Sequence, residues 1–214
     1  MITLEALARA LFTSLADTLA PPACAACDLG VGRSAVFCGS CAGAVERAGP
    51  SSVVAFALYG GPVATALRRL KYQDRSDLAR PLGDLLRRAA RDAALRADLV
   101  VPVPLHPTRL AERGYNQAAL LGAAAARELG APLEARALLR TRPTSQQARL
   151  PRAQRLENVT GAFRVRVPAQ VRGRHVVLVD DVATTGATLA ACLAALRESG
   201  AAAVTALVVA RAGD

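Results

Sequence analysis

Val176-Val177-Leu178-Val179-Asp180-Asp181-Val182-Ala183-Thr184-Thr185-Gly186-Ala187-Thr188 is the stretch that decides the fold. Four apolar residues come first, then two acids, then a turn of small and hydroxyl residues that opens a helix. A run without polar alternation predicts a strand buried on both faces, as in a parallel sheet covered by helices. Such strands deliver their ligand-binding groups at the carboxyl end, so both carboxylates arrive at the sheet edge with the turn beside them.

The turn has its own chemistry. Backbone amides of Ala183, Thr184, Thr185, Gly186 and Ala187, at the start of a helix, point at an anion; Thr184, Thr185 and Thr188 add hydroxyl donors and Gly186 permits close approach of the backbone. Carboxylates accept hydrogen bonds from vicinal hydroxyls while the turn holds a phosphate, a combination that describes a ribose 5-phosphate. A nucleoside triphosphate cradle matches less well, because the chain contains no G-x-x-x-x-G-K-[ST] and no G-x-G-x-x-G after a strand. An ordinary strand ending in a threonine-rich helix cap would need neither adjacent acids nor three threonines.

Outward from this stretch, strand-like and helix-like segments alternate. Residues 51–59, 98–104, 174–181 and 202–211 read as strands, 134–140 as a further candidate, and 62–72, 77–95, 115–129 and 187–199 as helices. The alternation predicts an α/β fold with a mostly parallel sheet flanked by helices. Segment 140–161 has no clean period. It carries Arg140, Arg142, Arg149, Arg152 and Arg155 with no acid before Glu157, and a connection of that length reads either as a mobile active-site loop whose like charges an anion would reconcile or as a surface insertion.

Residues 2–19 place Leu4, Leu7, Leu11, Leu15 and Leu19 on one helical stripe that stops at Pro21-Pro22. Cys24-x-x-Cys27 and Cys38-x-x-Cys41 follow. Two such knuckles ten residues apart let four thiolates converge tetrahedrally on one Zn²⁺, with no position left for water or substrate, which makes the metal structural. Cys192 lies among Ala and Leu and reads as a small buried hydrophobe. A Gly/Pro/Ser stretch at 49–52 sets the expected boundary between a small module, 1–50, and a larger domain, 51–214.

Composition narrows the function classes. The chain has 214 residues, 52% hydrophobic and 21% charged, enough for one full core and an appendage. Aromatic residues make up 3% with no Trp, which disfavours serial stacking of bases along a nucleic-acid strand. No uncharged apolar run reaches the length of a membrane span, and the start has no basic n-region, so a cytoplasmic location is expected. Net charge is +10, attractive to phosphates of any kind. Lys71 is the sole lysine among 27 basic residues; a compact point charge suits a buried phosphate or sugar oxygen, and chance retention of one lysine is the alternative reading. His106 ends a predicted strand, where a plain loop role and a ligand contact are both open; His175 merely precedes a strand.

VVLVDDVATTGAT resembles the phosphoribosyl pyrophosphate (PRPP) motif of type I phosphoribosyltransferases. The resemblance widens with the four cysteines, Leu70-Lys71-Tyr72, Val101-Pro102-Val103-Pro104-Leu105-His106, Arg113-Gly114-Tyr115-Asn116-Gln117, and Gln146-Gln147 followed by Arg155-x-x-Asn158. In this order these segments are similar to the ComF/GntX family over nearly the whole chain. That resemblance implies a zinc finger joined to a type I phosphoribosyltransferase domain. It implies Asp180 and Asp181 on the ribose hydroxyls, Ala183 to Thr188 around the 5-phosphate, and Mg²⁺ accompanying PRPP. It also implies a link to natural transformation, with single-stranded DNA and competence proteins as partners at the inner face of the cell membrane. Departure of pyrophosphate from an anomeric carbon calls for cations, for which Lys71, His106, Arg109, Arg113 and Arg155 are the candidates. Three functions stay open: phosphoribosyl transfer to an acceptor, a non-enzymatic PRPP-binding module that handles DNA or partner proteins, and a PRPP-sensing regulator.

Overall fold

The computed structural model describes residues 21–142 and 161–213. The leucine stripe at 2–19 lies outside the described residues, as do Gln146, Gln147, Arg149, Arg152, Arg155 and Asn158. The order of elements is α1 (Gly39–Gly43), β1 (Val53–Leu58), α2 (Gly61–Tyr72), α3 (Ala79–Asp92), β2 (Leu99–Pro102), α4 (Pro107–Arg113), α5 (Gln117–Leu129), β3 (Leu138–Arg140), β4 (Phe163–Val165), β5 (His175–Ala183), α6 (Ala187–Glu198) and β6 (Ala203–Arg211).

Four strands form one sheet in the order β1-β6-β5-β2, and every pairing in it is parallel. The apolar run of the decisive stretch becomes β5, near the middle of that sheet. The candidate strand at 134–140 forms as β3, but it pairs antiparallel with β4 in a separate two-stranded sheet. β4 itself gives little sequence signal, since Phe163-Arg164-Val165 is too short to show a period.

Side chains alternate across a strand, and in β5 the alternation divides the core in two. Val177 and Val179 join Leu207 and Val209 against α2, α3 and α5 on one face. Val176 and Leu178 join Ala206 and Val208 against α6, β3 and β4 on the other. Cys24, Ala25, Val36, Phe37 and Cys38 belong to the first of these clusters, alongside Leu67 and Leu70 of α2. The cysteine module is therefore built onto α2 and α3 and shares their core.

The helices of the first face come very close. Gly83 of α3 sits where an added Cβ would meet the Cβ of Ala124 in α5 at 2.8 Å, and an alanine Cβ cannot swing aside. Gly83→Ala should lower the melting temperature: overpacking costs about 1–3 kcal/mol against about 1 kcal/mol of helix propensity gained. Thermal unfolding followed by circular dichroism checks this, and a variant more stable than the parent would contradict the close approach.

Candidate functional site

β2 pairs with β5 as far as Pro102 opposite Val179, and one further bond runs from the Val103 N–H to the Val179 carbonyl at 2.8 Å. There the chain turns away. Pro104 has no N–H with which to continue the ladder, and among the described residues Asp180 and Asp181 have no ladder partner on that side. Of the helices that follow β2, α5 covers one face of the sheet, and α6, the helix after β5, covers the other. Neighbouring strands whose connections leave to opposite faces open a crevice at their carboxyl ends. A cleft of about 460 Å³ occupies that place, lined by Tyr59, Lys71, Tyr72, Val103 to Leu105, Gln117, Arg140 and the whole run from Asp180 to Leu189.

Alternation along β5 sends the two acids to different faces. Asp181 follows Val177 and Val179 towards α2, where the Lys71 ammonium meets its Oδ2 at 2.6 Å, with the lysine side chain 18% exposed and the aspartate 3%. Asp180 follows Val176 and Leu178 towards α6 and β3, within the electrostatic reach of Cys192 and Arg140. Its Oδ1 accepts the Asp181 N–H at 2.8 Å. Burial, reinforced by the charge on Asp181 and only partly offset by Lys71, raises the Asp180 carboxyl well above the ordinary range. Burial pulls the Lys71 ammonium down, but Asp181 and Asp180 together outweigh it and leave Lys71 above its ordinary value.

The turn after the acids is built for an anion. Gly186 takes φ +73°, a left-handed conformation suited to glycine, and caps α6 without any side-chain hydrogen bond to the helix N-terminus. The first-turn amides of α6 are thus left for a ligand. The Thr185 hydroxyl is buried with no hydrogen-bond partner among the described residues, the sort of orphan that marks a missing partner.

The other predicted cations stand behind this lining. His106 caps the seven-residue helix α4, with Nδ1 accepting from the Thr108 N–H. Arg109 acts on the Arg140 guanidinium, which burial and then Arg109 hold below its ordinary range. Arg113 donates to Gln117 Oε1 at 2.5 Å and stacks 5.5 Å above the Tyr72 ring. Both of its partners line the cleft. Arg140, Tyr59, Tyr72 and Gln117 are lining residues that sequence reasoning did not single out as site residues. Arg140 was visible only as the first of a string of arginines, and Tyr72 only as a neighbour of Lys71.

The second group is the cysteine cluster. The Sγ atoms of Cys24, Cys27, Cys38 and Cys41 lie within 4.8 Å of one another, with Cys27 to Cys38 at 3.7 Å and Cys27 to Cys41 at 3.8 Å. A tetrahedron with Zn–S bonds of about 2.3 Å has edges of about 3.8 Å, so the donor set and its spacing fit that ion. The first knuckle turns through Asp28 N–H to the Cys24 carbonyl at 3.0 Å and Cys24 N–H to the Leu29 carbonyl at 2.8 Å.

Comparison with known proteins gives consistent results. Residues 116–214 match the family described as phosphoribosyl transferase domain. The "DNA utilization protein YhgH" of Escherichia coli is 37% identical over 187 residues, which is 85% of this chain and 80% of that protein. The "competence protein F" of Haemophilus influenzae is 34% identical over 185 residues, 84% of this chain and 80% of that one. Among solved structures, a glutamine PRPP amidotransferase from B. subtilis complexed with ADP and GMP is similar at TM-score 0.46 and 24% identity, over 65% of this chain and 30% of that one.

The raised Asp180 carboxyl has a consequence for stability. The folded chain holds that proton to higher pH than the unfolded chain does, so stability falls as pH climbs from the ordinary 3.8 through the raised value. Asp180→Asn keeps an oxygen for the Asp181 N–H and removes the charge. It should gain about 0.5–2 kcal/mol at pH 7 and nothing near pH 3, as read by urea unfolding at both pH values. A loss at pH 7 that disappears near pH 3 would mean that Asp180 is a net stabilising anion.

Proposed function

The chain belongs to the ComF family, with the DNA utilization protein YhgH and competence protein F among its relatives, and on that premise we propose that it binds PRPP, or another ribose 5-phosphate, in the cleft between β5 and β2. One observation carries this reading: a buried acid pair, an uncapped helix N-terminus and an orphaned Thr185 hydroxyl face the same cleft. In it Asp180 and Asp181 accept from the two ribose hydroxyls. Residues Ala183 to Thr188 wrap the 5-phosphate with backbone amides and hydroxyls. Lys71 neutralises Asp181 and places one positive charge beside the sugar, while Arg140, with Arg109 and Arg113 behind the lining, supplies positive potential on the opposite wall. Arg155 completes this set of cations, outside the described residues.

The hard carboxylate oxygens of the acid pair also suit Mg²⁺ brought in with the pyrophosphate. Bound there, the ion would offset the negative charge that builds on the leaving pyrophosphate. In phosphoribosyl transfer the bond from the anomeric carbon to pyrophosphate breaks with its electron pair on the pyrophosphate. A nucleophilic acceptor forms the new bond and gives up a proton. The residues around the cleft serve that reaction by holding the sugar and balancing charge.

In the amino-terminal module, the thiolates of Cys24, Cys27, Cys38 and Cys41 hold one structural Zn²⁺, whose coordination they fill. The relatives' names, together with the +10 net charge, support a role in handling imported DNA, with single-stranded DNA and competence proteins as partners.

Isothermal titration of PRPP with Mg²⁺ tests the cleft. Binding by the native protein should be lost in an Asp180→Asn/Asp181→Asn variant; absence of binding by folded, zinc-loaded native protein would refute it. Pyrophosphate release in the presence of candidate acceptors separates a transferase from a binding module. For the metal, elemental analysis should give one zinc per chain, and Cys24→Ser should lose it along with much of the chain's stability. A Cys24→Ser protein that kept zinc and folded normally would rule out the four-thiolate site.

A further inference from the structure

The last turn of α2 sends four consecutive residues to four different parts of the molecule. Arg69 reaches the first cysteine knuckle: Nη1 donates to the Ala25 carbonyl at 3.1 Å and Nη2 to the Asp28 carboxylate, with the arginine side chain only 11% exposed. Leu70 is fully buried and its carbonyl accepts the Tyr115 hydroxyl. Lys71 sits on Asp181 in the cleft. Tyr72, 69% exposed, lies under the Arg113 guanidinium at the cleft wall.

Both partners of Arg69 stand one residue after a candidate metal ligand, Ala25 after Cys24 and Asp28 after Cys27. Asp28 takes φ +61°, a left-handed conformation that aspartate adopts more readily than most non-glycine residues. Arg75 grips the other Asp28 oxygen at 3.0 Å and is itself held by Asp77 at 2.9 and 2.8 Å. The knuckle is unevenly anchored. Cys24 and Ala25 are packed in the core, whereas Cys27 and Asp28 are exposed and tied back through the Asp28 N–H to the Cys24 carbonyl and the Cys24 N–H to the Leu29 carbonyl, a closure to which a metal on Cys27 would add a further restraint.

We propose that the metal on the four cysteines positions Lys71: the closed knuckle presents Asp28 and the Ala25 carbonyl to Arg69, which fixes the last turn of α2 and so seats the Lys71 ammonium on Asp181. Arg69 is the positioning residue, acting on the cleft through Lys71. Opening the knuckle by loss of the metal frees the last turn and uncovers Asp181. Coupling between two sites is reciprocal, so a ligand that engages the acid pair alters the affinity for metal in turn. This last step rests on the reading of the cleft as a sugar-phosphate site; the seating of Lys71 does not.

The sequence supplies the probe. Lys71 is the only lysine in the chain, so acetylation by acetic anhydride, followed by hydroxylamine to remove acetyl from tyrosines and thiols, reports on its ammonium as a mass shift in a single peptide, apart from the N-terminus. The full chain is labelled with zinc bound and after removal by a chelator, with circular dichroism to show that the fold persists. Removal of zinc should speed acetylation of Lys71 roughly tenfold, inside the range usual for coupled sites. Arg69→Gln, which keeps all four cysteines, should label at the fast rate with its zinc in place, and stripping it should add little. Equal rates for zinc-loaded and stripped native protein, or a slow native rate in Arg69→Gln, overturns the proposal. If stripping unfolds the chain, the zinc-loaded Arg69→Gln rate decides alone. Ribose 5-phosphate in the same assay separates the two readings. Failure of the sugar phosphate to change the Lys71 rate, alongside a clear effect of zinc, sinks the cleft assignment and leaves the coupling standing.

Discussion

Two adjacent carboxylates at the end of a buried strand cannot both carry charge without a cation close by, and much of this structure is arranged around that constraint. Taking an anion out of water costs several kcal/mol even after relaxation. The single lysine of the chain meets it, from a helix more than a hundred residues earlier in the sequence. Asp181 accepts that ion pair. Asp180, on the other face, keeps its proton more strongly than a solvated aspartate would. The pair is therefore held partly neutralised, a state suited to accepting hydroxyl hydrogen bonds and costly to maintain without a ligand.

What brings the lysine there is the packing of α2. Its apolar residues Val63, Ala66, Leu67 and Leu70 pack against the face of the sheet that also bears Val177 and Val179. By alternation, that face carries Asp181. The cysteine module completes the same cluster from above, through Cys24, Val36 and Phe37. A metal site and a cleft on different elements are thereby joined by one helix, and the joint uses strong charge-assisted bonds at its exposed end and core packing at its buried end.

The decisive stretch was legible because its parts are local. An unbroken apolar run, two acids and a small-residue turn depend on neighbours in sequence, and they became β5, the cleft wall and the uncapped N-terminus of α6. The cysteines were legible for a similar reason, since knuckle spacing is local geometry. Lys71 stood out by its rarity, but its partner could not be read, because the contact depends on which sheet face α2 covers. The capping role of His106 was present in local information: His-Pro-Thr at the start of a helix is a capping arrangement with proline in the first turn, and Nδ1 is used there. Arg140 was hidden by tertiary structure. It lines the cleft only because β3 leaves the main sheet to pair with β4, a strand too short to announce itself.

The net charge of +10 does its work elsewhere. Many arginines are already paired at the surface: Arg47 with Asp92, Arg87 and Arg91 with Glu128, Arg75 with Asp77 and Asp28. Exposed pairs of this kind contribute about 0–1 kcal/mol each, and the remaining excess sets up a field that draws in polyanions over roughly a Debye length, about 8 Å at physiological salt. In the function proposed above, recognition inside the cleft rests on neutral donors at the start of α6 and on two acids, groups that a general attraction to phosphate would not select. A protein meant only to hold polyanions would not bury aspartates facing its anion site. Under the proposed reading, their presence beside the turn at Ala183 to Thr188 is what makes a sugar phosphate, with hydroxyls to donate, the better match than a bare phosphate chain.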